Sequence, residues 1–283
     1  MQGKSAHGND VSLRDKAGNN GVDSAPNHPA ERGMLSRLCF GGGDKMNPLV
    51  SCLTATRGRL RVLQEAVACY LAQDYENKEM VILNNHPVPL ELDNSLIGKG
   101  IRIVNEAIYP NLGSCRIRML ELANGEYIRT WDDDDLYLPW AISQGMENIG
   151  SFVAFKPKKS WDSRKNSIYT LGENVYEASI TFRADHARLY GYQPTGGDEH
   201  DPLMKSLDNS NCLVKDVKPS YCYRWDSGLF RISGTLGNGD VETRTKNWEK
   251  ANQDIGDGVI RQVPIQHYFD AMKGEMHQYD CIQ

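Results

Sequence analysis

Four consecutive aspartates, Asp132 to Asp135, follow the apolar and aromatic run Tyr127-Ile128-Arg129-Thr130-Trp131 and precede Leu136-Tyr137-Leu138-Pro139. Neighbouring carboxylates repel one another by up to about 1 kcal/mol per pair even in bulk water. A chain tolerates such a stretch most easily in a solvated loop or around a bound cation. A solvated acidic turn is the plainer reading, since charge runs usually face water. The segments around the run decide between the two.

Upstream, the pattern alternates. Leu49 to Thr56 is a short apolar, β-branched run that predicts a buried strand. Arg57-Gly58-Arg59 reads as a turn, and Leu60, Leu63, Val67 and Tyr70/Leu71 recur at helical spacing. Glu79 to Asn85 predicts a second strand, and Ile101 to Glu106 a third, with a loop holding Pro87 and Pro89 between them. The stretch from Asn111 to Tyr127 predicts a helix capped by Asn111 or Ser114, with Gly125 at its C-terminal end. Glu126 to Trp131 is a fourth strand, ended by the aspartates. Strands and helices in this order predict an α/β fold with a mainly parallel sheet. Ligands of such sheets bind at the carboxyl ends of the strands. Those ends carry Thr54-Ala55-Thr56-Arg57, Asn84-Asn85 and the aspartates. No G-x-G-x-x-G or G-x-x-x-x-G-K-S/T follows the first strand, which argues against a dinucleotide site or a P-loop.

The second half is less regular. Leu138 to Ile149 predicts a helix, Ser151 to Pro157 a strand, and Ala178 to Arg183 another strand followed by a short helix. Asp201-Pro202 reads as a capped helix start, leaving Asp198 and Glu199 in the loop before it. Cys212 to Val217 predicts a strand, Ser220 to Gly234 a hairpin or strand-loop, and 245–255 an amphipathic helix. Residues 1–46 are rich in Gly, Asn, Asp and Ser and are read as a disordered leader, because they bury too little to offset ordering entropy. The expected division is a leader over 1–46, one α/β domain over 47–240 and a C-terminal extension over 241–283.

The chain carries a net charge of -5, without the basic surplus of proteins that live on nucleic-acid phosphates. Its seven cysteines are scattered, with no C-x-x-C pair, and read as reduced, mostly buried thiols. No apolar run approaches the roughly 20 residues of a membrane span, and no signal pattern opens the chain. The expectation is a soluble cytoplasmic protein.

Residues 48–85, the segment 112–139 and GGDEHDPL resemble the family 2 glycosyltransferases of the GT-A fold, a Rossmann-like three-layer sandwich. The closing segment YRWDSGLFRISG is similar to small soluble bacterial and phage members. The resemblance implies a metal-dependent, inverting transfer of a sugar from a nucleoside-diphosphate sugar to a hydroxyl acceptor, with Mn2+ or Mg2+ as cofactor. On the family pattern Asp134 is the metal ligand and Asp132 contacts the metal or the ribose. Asp135 supports them, and Asp133 is the member that is merely solvated. Thr54, Arg57 and Asn84 resemble the base and ribose pocket, though the family usually has Asp at the position of Asn84. A second role for Asn84 is a turn residue after a strand. Arg116 matches the arginine at a helix start that approaches the diphosphate or the base, while Arg118 suits the solvent surface. Glu199 is the expected general base, with Asp198 its alternative because the family order is Glu-Asp; His200 ranks below both. Arg231 is a candidate contact to the donor, and Trp225 more plausibly packs in the core than stacks on a sugar. The acceptor is a glycan or, alternatively, a hydroxymethylated pyrimidine in DNA. A non-catalytic sugar-nucleotide-binding module is a further alternative, suggested by Asn84, Ile117, the reversed acids and Arg231.

Overall fold

The computed structural model describes residues 47–224, apart from 107, 164–166, 171–175 and 209, together with 255–265. The strands and helices run in the order β1 (Val50–Thr56), α1 (Leu60–Leu71), β2 (Lys78–Asn84), β3 (Glu91–Leu92), β4 (Ile101–Asn105), α2 (Leu112–Leu122) and β5 (Tyr127–Thr130). They continue with β6 (Leu136–Tyr137), α3 (Ala141–Ile149), β7 (Ala154–Pro157), β8 (Lys159–Asp162), β9 (Ser167–Thr170), β10 (Thr181–Arg183) and α4 (Ala184–Tyr190). Last come α5 (Asp201–Lys205), β11 (Cys212–Lys215), β12 (Tyr221–Tyr223) and β13 (Val259–Ile260).

The main sheet has the order β11-β7-β10-β5-β1-β2-β4. Within it β10 pairs antiparallel with β5 and β7, and every other pairing is parallel. Both faces are covered, so β2 is apolar at consecutive positions instead of alternating with polar residues. Met80 and Ile82 point to the side packed by Leu63 and Val67 of α1. Val81 and Leu83 point to the side packed by Cys115, Met119 and Leu120 of α2. Each fully buried aliphatic of this kind contributes about 1.5–3 kcal/mol relative to exposure. The result is the expected α/β sandwich with a mainly parallel sheet.

The parallel register aligns the strand ends. Thr56 of β1 lies opposite Asn84 of β2, which lies opposite Asn105 of β4. Trp131 follows β5 and is buried, stacked on Tyr137 at 3.7 Å between ring centres, and its indole N–H donates to Ala66 O at 3.0 Å. That anchor fixes where the chain leaves the sheet and the aspartate turn begins.

Several local expectations change. Helix α3 starts at Ala141, because Leu136–Tyr137 turns back as β6 and pairs antiparallel with β12. With β8 and β9, these strands form a second sheet of order β6-β12-β8-β9. Asn111 is the cap of α2, its side chain accepting from Ser114 N–H at 2.9 Å. Gly125 does not end that helix, which stops at Leu122. A Cβ there would lie 2.6 Å from Ser51 Oγ and 2.8 Å from Leu49 O, so this glycine lets the backbone approach β1. Asp201 is not a cap either. His200 occupies that position, and Asp201 accepts from Lys205 Nζ at 2.5 Å. Strand β13 returns to pair in parallel with β3. The expected leader, most of the predicted helix over 245–255, Trp225 and Arg231 lie outside the described residues.

Candidate active site

The four aspartates form a turn between β5 and β6, and their side chains divide into two pairs. Asp133 and Asp135 are each 1% exposed. The side chains of Asp132 and Asp134 are 35% and 20% exposed. Asp132 and Asp134 are thus the two partly exposed members of the run. The expectation that Asp133 is solvated is overturned: it is buried because Arg59, at the N-terminus of α1, takes it in a two-point grip. Arg59 Nε donates to Asp133 Oδ2 at 3.2 Å and Arg59 Nη2 to Asp133 Oδ1, while Arg59 Nη1 donates to Asp134 Oδ2 at 2.8 Å. Asp135 accepts from Tyr221 Oη and from Arg224 N–H at 2.9 Å. Arg224 Nε donates to Asp134 O at 2.6 Å, and its Nη1 pairs with Glu65. Burial pushes the Asp133 and Asp135 carboxyls above their usual range, against the pull of Arg59 on Asp133.

Arg116 on α2 is 6% exposed and meets three carboxylates from three segments. Its Nη2 lies 3.2 Å from Asp132 Oδ1, its Nη1 3.2 Å from Glu177 Oε1 and its Nε 3.4 Å from Glu199 Oε1. Glu177, in the short helical turn before β10, also accepts from Thr130 Oγ1 at 2.5 Å and from Tyr192 Oη. The Tyr192 ring centre is 5.6 Å from the Arg116 guanidinium carbon. Desolvation in the cleft, with Asp134 and Glu177 close by, pushes the Asp132 carboxyl up to about 6 despite Arg116. Glu199 behaves differently. Burial works upward on it, but His200 and Arg116 outweigh that and hold it below the usual glutamate value. His200, its Nδ1 3.8 Å from Glu199 Oε1, is raised in return.

Of the two acids before α5, Glu199 is 5% exposed and reaches Arg116. Asp198 is exposed and accepts from Thr195 Oγ1 at 2.8 Å. The loop carrying both is strapped to the start of α2. Gly113 N–H donates to Thr195 O at 2.9 Å, and Asn111 Nδ2 donates to Pro194 O at 2.9 Å.

At the ends of β1 and β2, two buried oxygens have no hydrogen-bond partner among the described residues, Thr54 Oγ1 and Asn84 Oδ1, while the Thr56 hydroxyl faces the Asp133 carboxylate. Native interiors rarely leave such atoms unpaired. The Asn84 amide nitrogen is occupied, donating to Val88 O and Asn105 Oδ1, both at 2.9 Å. Arg57 is half-buried beside this edge, and burial lowers its pKa. Arg118 sits on the outer face of α2 with Glu106 and Glu121, as its surface assignment requires.

Sequence reasoning passed over Arg59 and Glu177. Arg59 looks like an ordinary turn residue, and only its position, beside a strand end at the acidic edge, hints at a partner. Glu177 is a lone acid between Tyr176 and Ala178, and a lone acid in an apolar stretch calls for a buried cation.

The α/β sandwich with its mostly parallel sheet is of the GT-A class. Residues 51–191 match the family described as Glycosyl transferase family 2, and the chain carries a family 2-like glycosyltransferase domain of the GT-A fold. It is 34% identical over 105 residues to WcaA of Escherichia coli K12, named as a colanic acid biosynthesis glycosyl transferase; the match covers 35% of this chain and 37% of that protein. The chain therefore matches well under half the length of this relative. Its fold is similar to that of TarS from S. aureus, solved with UDP-GlcNAc (TM-score 0.53, 12% identity, 83% of this chain and 73% of that one). It is also similar to that of the mannosyltransferase PcManGT from Pyrobaculum calidifontis, solved with GDP-Man and Mn2+ (TM-score 0.52, 10% identity, 84% and 77%). Among the described residues no helix is long and apolar enough to cross a membrane.

Proposed function

We propose that this protein is a metal-dependent, inverting glycosyltransferase that moves a sugar from a nucleoside-diphosphate sugar to a hydroxyl of an acceptor. The observation that carries the reading is the arrangement around Arg116. One buried guanidinium touches Asp132, on the donor side, and Glu199, the candidate base. Donor binding and proton removal are thereby held within one charged cluster.

Asp132 and Asp134 are oxygen donors on the open side of the turn, which suits Mg2+ or Mn2+. These ions take one or two carboxylates and complete their shell with water and phosphate oxygens. Among the described residues no group of three or more His, Cys, Asp or Glu could hold an ion. The donor set thus fits a cation shared with a diphosphate better than a closed protein cage. When bound, the cation neutralises charge on the leaving diphosphate.

The chain's own residues supply the rest. The unpaired hydroxyl of Thr54 suits the donor's nucleoside, and Asn84 offers it an acceptor, its Oδ1, since its nitrogen is already engaged. Arg57 follows β1 at the same edge. Glu199, held below its usual pKa, is ionised at neutral pH and takes the proton of the acceptor hydroxyl as that oxygen attacks the anomeric carbon. Arg116 keeps Glu199 oriented toward the donor side. In this reading Asp198 ties down the loop and does no proton transfer, and Arg231 remains a candidate donor contact.

The test is a panel of nucleoside-diphosphate sugars offered with Mn2+ or Mg2+ to the full chain, with hydrolysis or transfer read by chromatography. At least one donor should turn over, and Asp134→Ala should abolish that turnover. A full panel that neither binds by thermal shift nor reacts would overturn the reading.

A further inference from the structure

Arg59 belongs to no part of the scheme above, yet its guanidinium bridges two members of the aspartate run, Asp133 and Asp134. It is 7% exposed and grips Asp133 through Nε and Nη2. Its remaining nitrogen, Nη1, reaches Asp134 Oδ2 at 2.8 Å. The two partners sit in different surroundings. Asp133 is buried and stays with the guanidinium, because removing either charge would strand the other in the interior. The Asp134 side chain is 20% exposed and lies on the open side of the turn. A contact there exchanges easily with solvent or with another cation.

We infer that Arg59 is a positioning residue with one permanent and one exchangeable partner: it locks Asp133 inward, and so turns Asp134 outward, while holding Asp134 only until a divalent cation takes its place. This rests on the reading of Asp134 as a cation ligand. The arginine would then stand in for the cation's charge in the ion-free protein, relieving the repulsion among adjacent carboxylates. It would also compete with the cation for Asp134 Oδ2. A purely structural clamp would do the first and not the second.

The experiment is direct Mn2+ binding to the full chain, followed by electron paramagnetic resonance of the unbound ion, with no sugar nucleotide present. Arg59→Gln alone strands Asp133 and is expected to fold poorly. The double variant Arg59→Gln/Asp133→Asn removes the buried pair together and serves as the main probe, with circular dichroism confirming its fold. It should bind Mn2+ more tightly than the wild type, by a few-fold, because the guanidinium that competes for Asp134 Oδ2 is gone while the paired loss of Asp133 leaves the local net charge unchanged. Adding Mn2+ should also raise its melting temperature more than that of the wild type. Unchanged or weaker Mn2+ binding in a folded double variant overturns the inference alone. If Mn2+ binds neither protein, the inference fails together with the assignment of Asp134 as a cation ligand. If the double variant does not fold, the conservative Arg59→Lys decides: it keeps one charge but cannot hold both partners, so tighter Mn2+ binding supports the inference and unchanged binding overturns it.

Discussion

Asp133 and Asp134 are adjacent in the chain and opposite in consequence. Removing Asp133 leaves the Arg59 guanidinium buried without its two-point partner, and breaking a buried pair in this way costs about 3–5 kcal/mol. Asp133→Ala should therefore lower stability by that order in urea denaturation. Asp134→Ala leaves Arg59 its two-point partner Asp133, so it should cost less than that and lose activity instead. Equal stability losses would contradict the division of the run into inward and outward pairs. A second prediction concerns proton removal. His200 and Arg116 hold Glu199 below its usual pKa, so kcat/KM should stay flat through neutral pH and fall only on the acid side. His200→Ala takes away one lowering influence, so the acid limb should move to higher pH. An unmoved limb would assign the acid side of the profile to Asp132, whose carboxyl stands at about 6, and not to Glu199. Asp198→Asn should leave the profile unchanged.

The loop from Gln193 to Glu199 and the start of α2 behave as one element. The Asn111 side chain both caps α2 and holds Pro194, so Asn111→Ala should cost about 1 kcal/mol from the cap alone. Gly113 is more informative. A Cβ there would sit 1.9 Å from Gln193 O, a backbone atom that cannot step aside without moving the strap. Gly113→Ala should lower kcat by displacing Glu199 while leaving donor affinity, measured by calorimetry, within a few-fold of wild type. The sequence shows the elements better than it shows these ties. The first four strands are legible because both faces of the sheet are covered, which writes continuous apolar runs such as Met80 to Leu83. The strap is not, because its contacts are to backbone atoms and leave no pattern in side chains. Gly125 is visible as a special position, but its neighbour across space, Ser51, is what explains it.

Across the whole molecule, the sheet brings the ends of β1, β2 and β5 to one edge, where Glu177 and Glu199 meet Arg116 and Tyr221 meets Asp135. The acidic turn, Thr54, Arg57 and Asn84 could be placed at that edge from their positions at strand ends. Arg59, Glu177 and Tyr221 could not, since each gains its role from partners 47 to 86 residues away. The second sheet is equally hidden, being built from strands as short as Leu136–Tyr137, which carry too few residues for a period. The same double coverage of the main sheet buries its thiols. Burial pushes Cys52 and Cys69 up to about 12 and Cys115 up to about 11. Peptide mapping after brief iodoacetamide treatment at neutral pH should find these three unmodified in the native protein and modified once it is unfolded in urea.

The central claim is that the aspartate turn binds the donor and that Glu199, joined to it through Arg116, acts on the acceptor. Calorimetric titration with a nucleoside-diphosphate sugar that the protein turns over, in the presence of Mn2+, separates the two halves most directly. Glu199→Gln should bind that donor within a few-fold of wild type and transfer nothing, whereas Asp134→Ala should show no measurable binding. Wild-type binding by Asp134→Ala, or wild-type turnover by Glu199→Gln, would contradict it.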